Sequence, residues 1–214
     1  MIGIIFAMEK EACALLNKLN FVRQVSPFEE YKTTYNGEEI VAIICGVGKV
    51  NAAIATQKLI SYSPRIIINA GICGGLDSSM EIGDTYLCDG AIEYDFDLSK
   101  IDNVPVGKLD EMESVIIPFT TEKIEGYTYK VIASGDHFYH DEKEMDLIIS
   151  MGGSLKDMES AAIAHACYKN NQKLVMLKTL SDVRGKNTIT QYHENALKAC
   201  EILTNKLVKL LEKI

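Results

Sequence analysis

The chain of 214 residues lacks the usual features of membrane proteins and nucleic-acid-binding proteins. No apolar run approaches the roughly 20 residues that a membrane-spanning helix needs. The apolar run at the start has no basic segment ahead of it, so we expect a first β-strand there and not a secretion signal. The formal net charge is −8, and a negative surface does not attract nucleic acid or anionic membranes. We therefore predict that neither is a partner.

The chain also lacks the spacings that hold metals or nucleotides. Its six cysteines form no C-x-x-C pair and no cluster with histidine at ligand spacing, so we interpret them as buried side chains in a reducing, cytoplasmic compartment. His137 and His140 flank two aromatic residues, but no acid or cysteine completes a ligand set. No Walker loop and no G-x-S-x-G elbow is present. The sequence predicts no metal.

Apolar segments with strand character alternate with segments of helical period, which is typical of a layered α/β fold. We predict a single domain over 1–214, with a long and partly irregular functional loop at 95–128. The C-terminal helix is expected to bury a face that includes Leu197, Leu203 and Leu207. Strands are predicted at 2–6, 29–35, 38–45, 65–76, 84–90, 129–134 and 173–180, and helices at 8–19, 50–62 and 159–170.

Two glycine-rich segments follow predicted strands. The segment GVGKVN at 46–51 lacks the third glycine and the later acid of a dinucleotide fingerprint, so we interpret it as a tight turn into a helix. The segment NAGICGGL at 69–76 ends a buried strand, and α/β proteins place their ligands at such strand ends. Glycine there lets a ligand approach the backbone closely.

Three acids stand at the ends of predicted elements. Glu11 and Glu159 each lie near the start of a helix, where a carboxylate also complements the helix dipole, so each has a structural explanation as well. Asp182 ends the most apolar strand of the chain. An acid in such a place usually has a chemical task.

Taken together and in order, these segments resemble the bacterial 5′-methylthioadenosine/S-adenosylhomocysteine nucleosidases, of the nucleoside phosphorylase-like superfamily. The resemblance weakens only around 95–128. It implies a three-layer α/β/α sandwich with a central mixed sheet, usually assembled as a homodimer. It also implies cofactor-free hydrolysis that releases adenine from a small adenine nucleoside. The matching segments are GIIFAMEKE at 3–11, GVGKVNAA at 46–53, NAGICGGL at 69–76, IGD at 82–84, SGDHF at 134–138, DMESAAIAHAC at 157–167 and LSDV at 180–183.

The resemblance assigns roles to single residues. Glu11 matches the acid that activates the attacking water. Asp182 matches the aspartate that protonates or hydrogen-bonds N7 of adenine, and Glu159 matches the glutamate that binds the ribose hydroxyls. The other implied contacts are Met158 beside the sugar, Phe138 stacked on the purine, the backbone of Tyr139 at the N1 and N6 edge, Ser181 orienting Asp182, and Ile72, Gly74 and Asp157 in the same site.

These roles suit the cleavage of a glycosidic bond. Such a bond breaks with oxocarbenium character, and two carboxyl groups on opposite sides of the sugar assist it in inverting glycosidases. Asp182 can donate a proton only if it holds one near neutral pH. The pKa of an unperturbed aspartic acid is about 3.9, so such a side chain would be ionised there. Burial and neighbouring negative charge would have to raise that pKa.

Three positions depart from the pattern of the family. Ile72 stands where many members carry serine, Lys178 replaces an arginine, and Asp157 replaces a glutamate. The charges at 157 and 178 are kept, but the bidentate geometry of arginine is not. We expect the reaction class to be unchanged and leave the preferred 5′ substituent open.

Three other functions remain open from the sequence. A nucleosidase for another 5′-modified adenosine, such as aminodeoxyfutalosine, fits every residue named. A nucleoside phosphorylase would need arginines for phosphate, yet Asn69 precedes the glycine turn and the chain holds only three arginines. A non-catalytic relative would have lost the three acids.

Overall fold

The structure is a computed structural model that describes residues 1–119, 123–138, 141–185 and 187–214. Its strands are β1 (Ile2–Phe6), β2 (Val22–Arg23), β3 (Glu29–Tyr35), β4 (Glu38–Ile44), β5 (Ile66–Gly75), β6 (Thr85–Glu93), β7 (Ile117–Pro118), β8 (Tyr129–Ser134), β9 (Leu155–Asp157) and β10 (Leu174–Val183). Its helices are α1 (Glu9–Lys18), α2 (Lys49–Ile60), α3 (Ser99–Asp102), α4 (Glu142–Ser150), α5 (Ser160–Lys169) and α6 (Thr188–Leu211).

The described strands join one mixed sheet in the order β10-β6-β8-β9-β5-β1-β4-β3-β2, with β7 beside β6. Strands β1, β4, β5 and β10 pair in parallel, whereas β3 pairs with β4, and β6 with β10, in antiparallel fashion. Because β10 pairs with both β5 and β6, the strands β5, β9, β8, β6 and β10 close into a ring. The predicted mixed sheet is confirmed.

Helices cover both faces of this sheet, because alternate side chains of each strand enter different cores. Ile5 of β1 packs in the core that also holds the buried alanines of α2 and α5. Its neighbours Ile4 and Phe6 pack in the core that holds Leu15 of α1 and Leu203 of α6. The predicted three-layer α/β/α arrangement is therefore confirmed.

Helix α6 packs against β10 and α1, as its apolar pattern predicts. Leu203 and Leu207 are fully buried, but Leu197 is 69% exposed, so its predicted burial was wrong. Ala196 and Cys200, four residues apart, face the protein at that level of the helix. Leu197 follows Ala196 by one residue and so points to another side of the helix.

The segment 95–128 is irregular over most of its described length, apart from α3 and β7. It is nevertheless anchored, because Leu109 and Met112 are buried in the core that holds α2 and α5.

Candidate active site

A cavity of about 260 Å³ opens at the carboxyl ends of β5 and β10, with residues after β1 forming another wall. Ligands of α/β proteins bind at such strand ends. Tyr139, also expected at the site, lies outside the described residues. The residues expected there that line the cavity are Glu11, Ile72, Gly74, Phe138, Asp157, Met158, Glu159, Ser181 and Asp182.

Glu11, in the first turn of α1, is 2% exposed and is held by three backbone N–H groups. Ala7 and Met8 donate to its Oε2 at 3.1 and 2.9 Å, and Ile72 donates to its Oε1 at 2.9 Å. Burial raises the pKa of Glu11, while these N–H groups and the nearby Lys178 oppose that rise. The result is a fixed carboxylate with more basicity than a solvated glutamate.

Asp182 is 3% exposed and owes its orientation to an irregularity in β10. The register with β5 shifts between Leu180 and Asp182, and such a bulge redirects the side chains around it. Ser181 donates to Asp182 Oδ1 at 2.7 Å. A Cβ atom at Gly74 would lie 2.8 Å from Asp182 Oδ2, so a side chain at 74 would collide with the carboxylate.

Glu159 immediately precedes α5 and is 7% exposed. The backbone N–H of Gly48 donates to its Oε1 at 2.8 Å. Burial, then the charge of Asp157, raises the pKa of Glu159 to about 7. The turn at 46–51 therefore contributes to the site through Gly48, whose φ of +101° favours glycine.

Asp157 and Lys178 form a buried ion pair beneath these acids. Lys178 Nζ lies 2.9 Å from Asp157 Oδ2, and Ser134 Oγ donates to Asp157 Oδ1 at 2.5 Å. Burial alone would raise the pKa of Asp157, but Lys178 and the hydroxyls of Ser134 and Ser160 hold it below its usual value. Both oxygens of Asp157 thus accept from groups of the protein, which favours a supporting role over direct substrate contact.

Lys178 also lies close to Glu11, above Gly71 of β5. A Cβ atom at Gly71 would lie 2.9 Å from Glu11 Oε1 and 3.4 Å from Lys178 Nζ. The positive charge of Lys178 favours ionisation of both Glu11 and Glu159. Because Gly71 has no side chain, Lys178 can lie close enough to Glu11 and Glu159 to stabilise both of their carboxylates.

An aromatic contact borders the cavity. The ring of Phe138 is tilted against Tyr192 of α6 with centroids 4.9 Å apart, and Lys10 Nζ donates to the Tyr192 hydroxyl at 2.5 Å. Tyr192 lines the cavity but was missed by the sequence analysis. No local motif marks it, because only the docking of α6 brings it to Phe138.

A second charged group lines the same cavity. Lys156 of β9 is 7% exposed, and its Nζ lies 2.7 Å from Glu144 Oε2 on α4. His137 Nε2 contacts the other oxygen of Glu144. Among the residues that the structure describes, no group of three or more acids, histidines or cysteines is arranged to hold a metal.

The fold and the cavity define an enzyme that performs acid–base chemistry on a small molecule, because four buried carboxylates, those of Glu11, Asp157, Glu159 and Asp182, line one space. The family model of the phosphorylase superfamily matches residues 1–214, and the chain belongs to that superfamily.

Within this superfamily, the chain is similar to several individual nucleosidases and hydrolases. The 5′-methylthioadenosine/S-adenosylhomocysteine nucleosidase of Halalkalibacterium halodurans is 32% identical over 207 residues, covering 90% of each chain. The enzyme of that name from Helicobacter pylori, solved with a pyrrolopyrimidine compound, has a TM-score of 0.88 at 23% identity, covering 100% of this chain and 98% of that one. Futalosine hydrolase of the same organism has a TM-score of 0.89 at 22% identity, covering 100% and 97%. The resemblance inferred from the sequence is confirmed.

Proposed function

We propose that the protein hydrolyses the N-glycosidic bond of 5′-methylthioadenosine and S-adenosylhomocysteine and releases adenine. The observation that carries this proposal is the convergence of Glu11, Glu159 and Asp182 on one cavity. The curated relative at 32% identity bears the name of this activity, which supports the same choice.

Asp182 serves the leaving base. Its orientation is fixed through the Ser181 hydroxyl, and because Gly74 beside it has no side chain, the carboxylate can lie close over the backbone there. A protonated carboxyl group there donates to N7 of the purine as the bond to the sugar weakens. Phe138 and Met158 line the cavity and supply apolar contacts to base and sugar.

Glu11 serves the attacking water. Its ionised form is needed to accept a proton, and three backbone N–H groups together with Lys178 favour that form. Its buried position makes it a stronger base than a solvated glutamate. Ile72 supports this role through its backbone, while its side chain packs against Ala196 and Ala199 of α6.

Glu159 binds the sugar. An ionised carboxylate can accept a hydrogen bond at each oxygen, which suits the two adjacent hydroxyls of ribose. With a pKa of about 7, Glu159 is about half ionised at neutral pH, so binding should strengthen as the pH rises through 7. Gly48 holds one of its oxygens in place.

These roles give a balanced reaction. Water forms a bond to C1′ as the C1′–N9 bond breaks, and the bonding electrons move into the purine. Glu11 takes the proton from water, and Asp182 gives a proton to N7, so free adenine and the thio-sugar are the products. Carboxyl groups divide the work in the same way in inverting glycosidases.

The placement of arginine favours water over phosphate as the nucleophile. All three arginines lie in the described ranges, and none lines the cavity. Arg23 pairs with Glu29, Arg65 pairs with Glu38, and Arg184 pairs with acids of α4. The two buried lysines at the site are already paired, Lys178 with Asp157 and Lys156 with Glu144. A phosphorylase would need cations for its phosphate.

We place the protein in the cytoplasm as a homodimer. The six cysteines are free thiols, which suits a reducing compartment; four are buried as expected and Cys45 is partly buried, but Cys13 is exposed, so its predicted burial was wrong. No described helix is long and apolar enough to cross a membrane. Val50 and Ile54 of α2 are 71% and 53% exposed beside α5. A second copy would cover this apolar face. Ile54→Glu should then yield monomers in sedimentation equilibrium, and an unchanged mass would reject this interface.

The test of the proposed function is adenine release from methylthioadenosine in phosphate-free buffer, repeated with added phosphate. Release without phosphate, with methylthioribose as the second product, is the expected result. Release only with phosphate would establish a phosphorylase. Aminodeoxyfutalosine in the same assay tests the alternative substrate, and a kcat/KM at least tenfold higher on it would reassign the preferred nucleoside.

A further inference from the structure

Lys156 and Asp182 stand in the same cross-strand row of the sheet. Gly74 of β5 pairs with Asp182 on one side and with Lys156 on the other. Residues that pair across strands point to the same face of a sheet. The two charged side chains therefore rise on one face, with their backbones two strand spacings, roughly 10 Å, apart.

Both charged residues and Gly74 line the cavity that holds the site, and because Gly74 has no side chain the carboxylate of Asp182 lies close over its backbone. A flat purine above Gly74, with N7 toward Asp182, extends its six-membered ring along the same row. That ring carries the unprotonated nitrogens N1 and N3 in adenine. The ammonium of Lys156 is a donor suited to such an acceptor.

Other side chains hold Lys156 in position. Its Nζ lies 2.7 Å from Glu144 Oε2 and 5.2 Å from the centroid of the Tyr94 ring. At 7% exposure, Lys156 meets little competition from water, which strengthens a charge-assisted hydrogen bond.

We propose that Lys156 is a specificity-determining residue that donates a hydrogen bond to an unprotonated nitrogen of the six-membered ring of the purine. This inference rests on the proposed function, because it places the base beside Asp182. A 6-oxopurine carries N–H at N1 and would present a donor to a donor there. N3 is unprotonated in both kinds of purine, so a contact of Lys156 at N1, and not at N3, would add to the preference for adenine.

A purely structural role is the rival explanation, since the pair of Lys156 and Glu144 fastens α4 to β9. Removing Lys156 alone would leave Glu144 without this cation in a half-buried place and could destabilise the fold. The double variant Lys156→Met/Glu144→Gln removes both charges together. Lys156→Arg keeps the charge and the donors, and Lys143→Met, which removes an exposed lysine from α4, the helix that carries Glu144, is a matched control.

The experiment is calorimetric binding of three free bases to the full chain: adenine, 1-deazaadenine and 3-deazaadenine. Lys156→Met and the double variant should each bind adenine about ten- to a hundredfold more weakly than the wild type, the effect of one charged hydrogen bond. The same substitutions should leave affinity unchanged for the analogue that lacks the contacted nitrogen. Lys156→Arg should retain most of the affinity for adenine, and Lys143→Met all of it.

Equal losses of affinity for adenine and for both analogues would overturn the proposal, because a structural defect would weaken the binding of all three bases alike. Unchanged binding of adenine by the double variant would overturn it as well. Hydrolysis is measured separately on the wild type, so failure of the proposed function shows as absent turnover. Wild-type turnover together with equal losses in the variants would reject the role of Lys156 alone.

Discussion

Glu159→Gln should make the protein more stable at pH 8 while impairing it as an enzyme. Folding places this carboxylate in a cavity where burial and the charge of Asp157 disfavour ionisation. Glutamine keeps the size of the side chain and an oxygen that can accept from Gly48, but it carries no charge at any pH. The substitution isolates what the buried charge costs the fold.

The size and sign of the effect follow from the pKa. It rises from 4.5 to about 7 on folding, so the folded state holds the proton more tightly than the unfolded chain. The contribution of Glu159 to the free energy of unfolding therefore falls as pH rises between about 4.5 and 7, by about 3 kcal/mol in total. For a chain of this length, that amounts to roughly 6–12 °C in Tm.

Calorimetric unfolding at steps from pH 4.5 to 8 measures this directly. The Tm of Glu159→Gln should match the wild type at pH 4.5 and exceed it by the stated amount at pH 8. Glu201→Gln, on an exposed position of α6, is the control and should show no such trend. A Tm difference between Glu159→Gln and wild type that is constant over the whole range would refute the reasoning.

Three further substitutions test the site. Asp182→Asn should reduce adenine release about 100-fold or more without lowering Tm, because it removes the proton donor at nearly constant volume; wild-type rates would remove Asp182 from the mechanism. Glu11→Gln should be inactive yet bind adenine nucleosides in calorimetry, and normal turnover would mean that another group is the base. Asp157→Asn removes the hydrogen-bonded ion-pair partner of the buried Lys178 and leaves it only the more distant charges of Glu11 and Glu159, so urea unfolding should show a loss of about 3–5 kcal/mol. Asp157→Asn/Lys178→Met should recover most of that stability, and a double variant as unstable as the single one would contradict the ion-pair account.

The strands that carry the site could be predicted from sequence because each is an apolar run with its own end signal. Strand β5 ends in glycines, and Ser181 and Asp182 lie near the end of β10, so composition locates the end of β5 and places the end of β10 to within three residues. Glu11 could be located because it follows the first strand so closely. Each of these signals is carried by neighbouring residues, so it can be recognised in a single sequence.

The features of the fold and of the site that could not be predicted depend on contacts between segments that are distant in the sequence. The pairing of β10 with both β5 and β6 closes the ring of strands, and no sequence pattern within any one of these strands predicts it. Lys156 lies on a strand of three residues, too short for any periodicity to show. Helix α4 was not predicted, although it has a local signal, because the Asp141 side chain caps its first turn.

The way in which Glu11 is bound makes its protonation observable by spectroscopy. Its two oxygens accept from the backbone amides of Ala7, Met8 and Ile72, which belong to segments more than sixty residues apart in sequence. Loss of the negative charge weakens all three hydrogen bonds at once. In a nitrogen-15 spectrum, these amide signals should shift together along one titration curve, so the charge state of the Glu11 carboxylate can be followed without any substrate.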